Sequence, residues 1–102
     1  MKLTAAALLS SLAFASAWNL DLYTTDKRHV KTHGTRDSGC KNIEFHPALK
    51  VNRANFRPAT NNWPDPKTFE LYASKNCKKL SYRNGKGNHK MSARTIRSYK
   101  VY

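Results

Sequence analysis

The chain is poor in acids, with six Asp and Glu against 19 Lys and Arg in 102 residues. It is also poor in cysteine, glycine and proline, with two, four and four. Beyond its first residues it has no apolar run of the roughly 20 residues that a membrane-spanning helix needs. The expectation is therefore a soluble product. There is no Asn-x-Ser/Thr sequon, so N-glycosylation is not expected. Phosphate loops, dinucleotide fingerprints, Gly-x-Ser-x-Gly and paired metal-ligand motifs are missing as well. Those gaps argue against nucleotide hydrolases, dehydrogenases, α/β-hydrolases and metalloenzymes, and neither a cofactor nor a metal is expected.

The N-terminus is patterned. Met1-Lys2 is basic, residues 3–14 are apolar or small, and Ala15-Ser16-Ala17 places small residues at the two positions a signal peptidase reads. This is the layout of a cleaved secretory leader, residues 1–17. Residues 18–102 then form one small extracellular domain, expected to be monomeric. A domain of this size buries a modest fraction of its surface and often needs a staple. Cys40 and Cys77 are its only cysteines. In an oxidising compartment an even pair forms a disulfide. Closing a loop of this length contributes about 3–4 kcal/mol. A zinc site is the rival reading, but the close Cys or His pairing of zinc modules is lacking.

The charge is uneven. Between Ser74 and Tyr102 there is no acid, while Lys75, Lys78, Lys79, Arg83, Lys86, Lys90, Arg94, Arg97 and Lys100 are all basic. Such a field concentrates polyanions. The first eight of these are the candidate anion-binding residues. The candidate partners are nucleic acid, lipid headgroups and acidic polysaccharide, and charge alone does not choose among them. Basic residues around Tyr82 and the turn at residues 84–88 suit a single strand or a headgroup. The alternative is a core Tyr82 beside a solvated, aggregation-blocking edge.

Strand signals recur along the mature part. Leu20-Asp21-Leu22-Tyr23-Thr24, Ile43-Glu44-Phe45, Leu49-Lys50-Val51 with Phe56, Phe69-Glu70-Leu71-Tyr72, Leu80-Ser81-Tyr82 and residues 96–102 are short and rich in β-formers. Breaks fall at His33-Gly34, Asp37-Ser38-Gly39, residues 61–66 and residues 84–88. Asn84-Gly85 is a type I′ hairpin signal. Leu20-Asp21-Leu22-Tyr23 and Phe69-Glu70-Leu71-Tyr72 echo one another, each followed by a cysteine. Regular spacing of short strands suits a β-sandwich or small barrel, and two such halves suit two Greek keys packed face to face, an all-β sandwich.

With Leu22-Tyr23 and Leu71-Tyr72 as first-strand aromatics, and Ile96-Arg97-Ser98-Tyr99-Lys100-Val101 as a serine-bearing closing strand, the chain resembles the βγ-crystallin-like fold, including small microbial secreted versions. The spacing from aromatic to glycine departs from that family: the next glycines are Gly34 and Gly85. Arg94-Thr95-Ile96-Arg97-Ser98 lacks the acids of the calcium-binding variant, so no calcium site is carried over. Leader, length, cysteine count and basicity are also similar to small secreted fungal proteins, both host-directed effectors and antimicrobial toxins. That similarity implies a non-enzymatic protein binding an anionic target through its basic C-terminal segment, and makes another single-disulfide effector sandwich the alternative fold.

Two further readings belong to other classes. A small secreted ribonuclease would use Glu44 and His46, which share a face if residues 43–46 are a strand. In that case Ile43 and Phe45 would point inward, and the pair would be merely exposed. An antimicrobial reading has the basic segment acting on anionic membranes. Trp63, before Pro64, suits a plug over the core or a stacking platform. Lys27-Arg28 is a dibasic pair whose cleavage would delete the first strand, and it is expected to stay uncut.

Overall fold

A computed structural model describes residues 17–60 and 65–102. The expected leader, apart from Ala17, and Trp63 lie outside the described residues. Eight strands run in order: β1 (Trp18–Thr24), β2 (His29–Gly34), β3 (Lys41–Asn42), β4 (Leu49–Arg57), β5 (Phe69–Ser74), β6 (Lys78–Asn84), β7 (Gly87–Ile96) and β8 (Ser98–Val101). One 3₁₀ turn, Lys75–Cys77, separates β5 from β6.

The strands form two four-stranded antiparallel sheets, ordered β2-β1-β4-β7 and β3-β8-β5-β6. Each half of the chain supplies three strands to one sheet and its third strand to the other. The echo between β1 and β5 is therefore structural. Leu20 and Leu22 match Phe69 and Leu71 as inward residues, while Asp21 and Glu70 occupy the same outward position.

Period-2 alternation builds the core. Trp18, Leu20, Leu22, Val51, Ala54 and Phe56 of the first sheet meet Phe69, Leu71 and Val101 of the second, all buried. Each large apolar side chain buried there contributes about 1.5–3 kcal/mol. Phe56 and Phe69 sit at the centre, ring centroids 5.5 Å apart. Trp18 is buried at the head of β1, and its indole Nε1 donates to the Arg36 carbonyl at 2.8 Å. Gly34 lies against that ring, where an added Cβ would come within 2.7 Å of it. His33-Gly34 is thus not the expected break. It ends β2, and glycine is needed there for the ring's close approach.

The Cys40–Cys77 disulfide forms as expected. It acts on the weakest joint. β3 has only two residues, paired Lys41 to Tyr99 and Asn42 to Ser98. The bridge and two hydrogen bonds between Asn42 and Asn76 hold this crossing strand to the second half. Buried Ser98 supports the same corner, its Oγ donating to the Ser74 carbonyl at 2.6 Å and accepting from the Cys77 amide at 2.9 Å.

Two other expectations are corrected. Residues 43–46 are not a strand; they form a loop between β3 and β4, and Phe45 is exposed rather than inward. Asn84-Gly85 is not a hairpin turn, because β6 pairs with β5 and β7 with β4. The link carries the chain from one sheet to the other. Leu80 is exposed because a register shift opposite Leu71 and Tyr72 turns it out of the core.

The turn between β1 and β2 holds Lys27-Arg28. Arg28 pairs with Asp26 at 2.8 Å and donates to the carbonyls of Pro47 at 2.8 Å and Ala48 at 3.2 Å. Hydrogen bonds from Arg28 and then Thr24 lower the Asp26 carboxyl to about 2.

Candidate anion-binding surface

The eight candidate residues do not make one patch, because the segment that carries them runs through both sheets. Four are engaged within the protein. Lys75 pairs with Glu44 at 3.3 Å, and Arg83 with Glu70 at 2.8 Å. Arg94 donates to the Ser81 carbonyl at 2.7 Å and lies over Tyr82, its guanidinium carbon 5.5 Å from the ring centroid. Arg97 reaches the Ala73 carbonyl at 3.4 Å. Among the described residues, Lys78, Lys79, Lys86 and Lys90 are exposed and their ammonium groups make no hydrogen bond or ion pair. Tyr82 is half-buried against Phe69 and His89, which matches the core alternative and removes it as an open stacking surface.

Glu44 and His46 do come together, although through the loop rather than a strand. With Ile43, Phe45, Ala48, Lys75 and Arg97 they line a cleft of about 260 Å³. Arg28 anchors this loop through its hydrogen bonds to Pro47 and Ala48. The cleft is mixed in charge, and the Glu44 carboxylate is already shared with Lys75.

The outer face of the first sheet was not assigned from the sequence. Because Leu20, Leu22, Ala54 and Phe56 point inward, their neighbours point out. The register then sets outward residues side by side in three rows. The first is His29, Tyr23, Arg53 and Lys90 across the four strands. The second is Lys31, Asp21, Asn55 and Asn88, and the third is His33, Asn19 and Arg57. Asp21 is the one acid in these four strands, and it is buried, with Arg57 at 3.5 Å and His29 at 3.8 Å.

Tyr23 is flanked by cations. The His29 ring stacks on it with centroids 4.3 Å apart and planes 16° from parallel. The Arg53 guanidinium carbon lies 3.7 Å from its centroid. Arg53 also donates to the Asn88 side-chain oxygen at 3.1 Å. Where β4 bulges between Val51 and Arg53, a shallow depression of about 410 Å³ opens, lined by Asn52, Arg53, Lys90 and Met91. Arg53, Asn55 and Arg57 at alternate positions after Val51 were the sequence signal for this face. That signal is weaker in the sequence than the acid-free C-terminal segment, because its cations are spread over three strands.

The second sheet's outer face is built differently around Glu70. Arg83 Nε donates to it at 2.8 Å, Tyr102 Oη at 2.5 Å, and the Tyr72 hydroxyl donates as well. Burial raises the Glu70 pKa, but the hydrogen bonds from Tyr102, Tyr72 and Arg83 outweigh it and leave the carboxyl below its ordinary value. Burial, and then the hydrogen bond to Glu70, push Tyr72 up to about 12.

Among the described residues no group of three or more His, Cys, Asp or Glu is placed to hold a metal ion. The chain matches no protein-family model, no curated protein and no solved structure.

Proposed function

We propose that this is a secreted, non-enzymatic protein of the effector-like or toxin-like kind, which binds an anionic polymer or surface by charge. One observation carries the reading. Four of the six acids, Asp21, Asp26, Glu44 and Glu70, sit in ion pairs with cations of the protein itself, and the 19 Lys and Arg still exceed the six acids by 13, or by 12 once Lys2 leaves with the leader. Lys78, Lys79, Lys86 and Lys90 are the share of the basic C-terminal segment free to meet a partner. The disulfide suits the oxidising route that the leader implies. Two Greek-key halves packed face to face support the βγ-crystallin-like resemblance, as a likeness of architecture without calcium. The test is binding of the folded, leader-free protein to RNA, DNA, anionic vesicles, chitin and pectin at two salt concentrations. Binding that weakens with salt is expected. No binding at low salt, or binding indifferent to salt, overturns the reading. Leakage of anionic but not neutral vesicles would move it to the antimicrobial alternative.

A second reading, ribonuclease, is favoured by one fact: Glu44, His46, Lys75 and Arg97 line a single cleft. A carboxylate and an imidazole could exchange protons there while the cations hold a phosphate. RNA left intact across about pH 5–8 would remove it.

A further inference from the structure

We infer that the outer face of the first sheet is the binding site, and that its ligand is an acidic polysaccharide. The inference rests on the anion-binding reading above and gives it a place and a chemistry. Lys31, Arg53, Arg57 and Lys90 rise from three of the four strands, and the buried Asp21 lies beneath the Arg57 guanidinium. Strands about 4.8 Å apart make this an array roughly 14 Å across. That extent suits several repeating units of a linear polymer better than one small anion.

The neutral groups of the face decide the class of polymer. Asn19, Asn55 and Asn88 stand among the cations. A carboxamide both donates and accepts, which matches sugar hydroxyls. Guanidinium forks match carboxylates or sulfates in two-point contacts. A single-stranded nucleic acid would want open aromatic faces on which to stack bases. The one phenol ring in the three rows is Tyr23, and His29 and Arg53 already cover it, which leaves only the small imidazoles of His29 and His33. The depression beside Arg53 and Lys90 offers a place for one acidic sugar to sit below the level of the chain.

The experiment titrates the disulfide-bonded, leader-free protein with polygalacturonate, and separately with single-stranded RNA of equal charge, at one low salt concentration. Three forms are compared: wild type, Lys31→Glu/Lys90→Glu on the face, and Lys78→Glu/Lys79→Glu on β6. All four lysines are exposed, and Lys31→Gln/Lys90→Gln serves if the reversals disturb folding. The expected result is tighter binding of polygalacturonate than of RNA, weakened about tenfold or more by the pair on the face and distinctly less by the pair on β6. An equal or larger loss from the β6 pair overturns the assignment of the face while leaving anion binding intact. Tighter binding of RNA overturns the polysaccharide. Failure of the wild type to bind either polymer fails this inference and the anion-binding reading together.

Discussion

The two sheets carry an outward acid at the same place in β1 and β5, Asp21 and Glu70, yet their outer faces are opposites. Around Glu70, two tyrosine hydroxyls and Arg83 turn inward on the carboxylate and close the face. Around Asp21 the contacts are longer, at 3.5 and 3.8 Å, and Tyr23 gives its ring faces to His29 and Arg53 rather than its hydroxyl to the acid. The matching positions on the partner strands explain the split. Opposite Tyr72 stands Ser98, small and buried, which ties down the hairpin corner. Opposite Tyr23 stands Arg53, long and cationic, which cannot do so. The outer face around Glu70 is closed by its own short hydrogen bonds, while the face around Asp21 keeps Lys31 and Lys90 exposed beside looser contacts.

The strongest way to unbalance this comparison is to cut the bridge. Cys40→Ser/Cys77→Ser should cost about 3–4 kcal/mol in chemical denaturation. Amide exchange should rise first at Lys41 and Asn42 and along β8, with β1 and β4 still protected. Uniform loss of protection would show that the disulfide does not act on the crossing strand.

Next in size is the contrast between the two acids. Glu70→Gln removes a carboxylate that accepts three hydrogen bonds and should cost about 2 kcal/mol. Asp21→Asn, with its longer contacts, should cost under about 1 kcal/mol. Equal losses would erase the distinction between a closed and an open face.

A smaller effect follows from titration. The Glu70 carboxyl lies below its ordinary value in the folded protein, so its contribution is present above about pH 4.3 and is lost as the pH falls through the depressed folded value. Glu70→Gln should remove that part of the acid destabilisation, and an unchanged slope of stability against pH would contradict it. At the other end, Tyr72 is raised to about 12, so its contribution is complete below about pH 10 and fades as the pH climbs to the folded value. Ultraviolet titration of the phenols should show Tyr72, Tyr99 and Tyr102 late, with Tyr72 and Tyr102 moving earlier in Glu70→Gln and Tyr99 unmoved.

The inner strands were legible because their alternation is strong. β1, β4 and β5 carry Leu20, Leu22, Val51, Phe56, Phe69 and Leu71 at inward positions, and the disulfide followed from cysteine arithmetic. The edge strands of the first sheet were not. β2 reads His-Val-Lys-Thr-His-Gly and places only Val30 against the core. β7 opens Gly-Asn-His-Lys and reaches a fully buried residue only at Ile96. Edges that face water on one side and block pairing with polar residues lose the apolar rhythm that betrays a strand. The exchange of β3 and β7 between sheets is a long-range choice, and Asn84-Gly85, whose chemistry argues for a hairpin, is overruled by it. The eight basic residues are adjacent in sequence, but four of them are engaged within the protein and the rest are not brought together in space. The cations of the first sheet's face come from β2, β4 and β7 and meet only through the register.

The most direct measurement is to map backbone amide shifts while polygalacturonate is added to the folded protein at low salt. The account predicts changes concentrated at Lys31, Arg53, Asn55, Arg57 and Lys90, with little movement around Glu70 and Tyr102. Changes gathered on β6 around Lys78 and Lys79, or spread evenly over both faces, would contradict it.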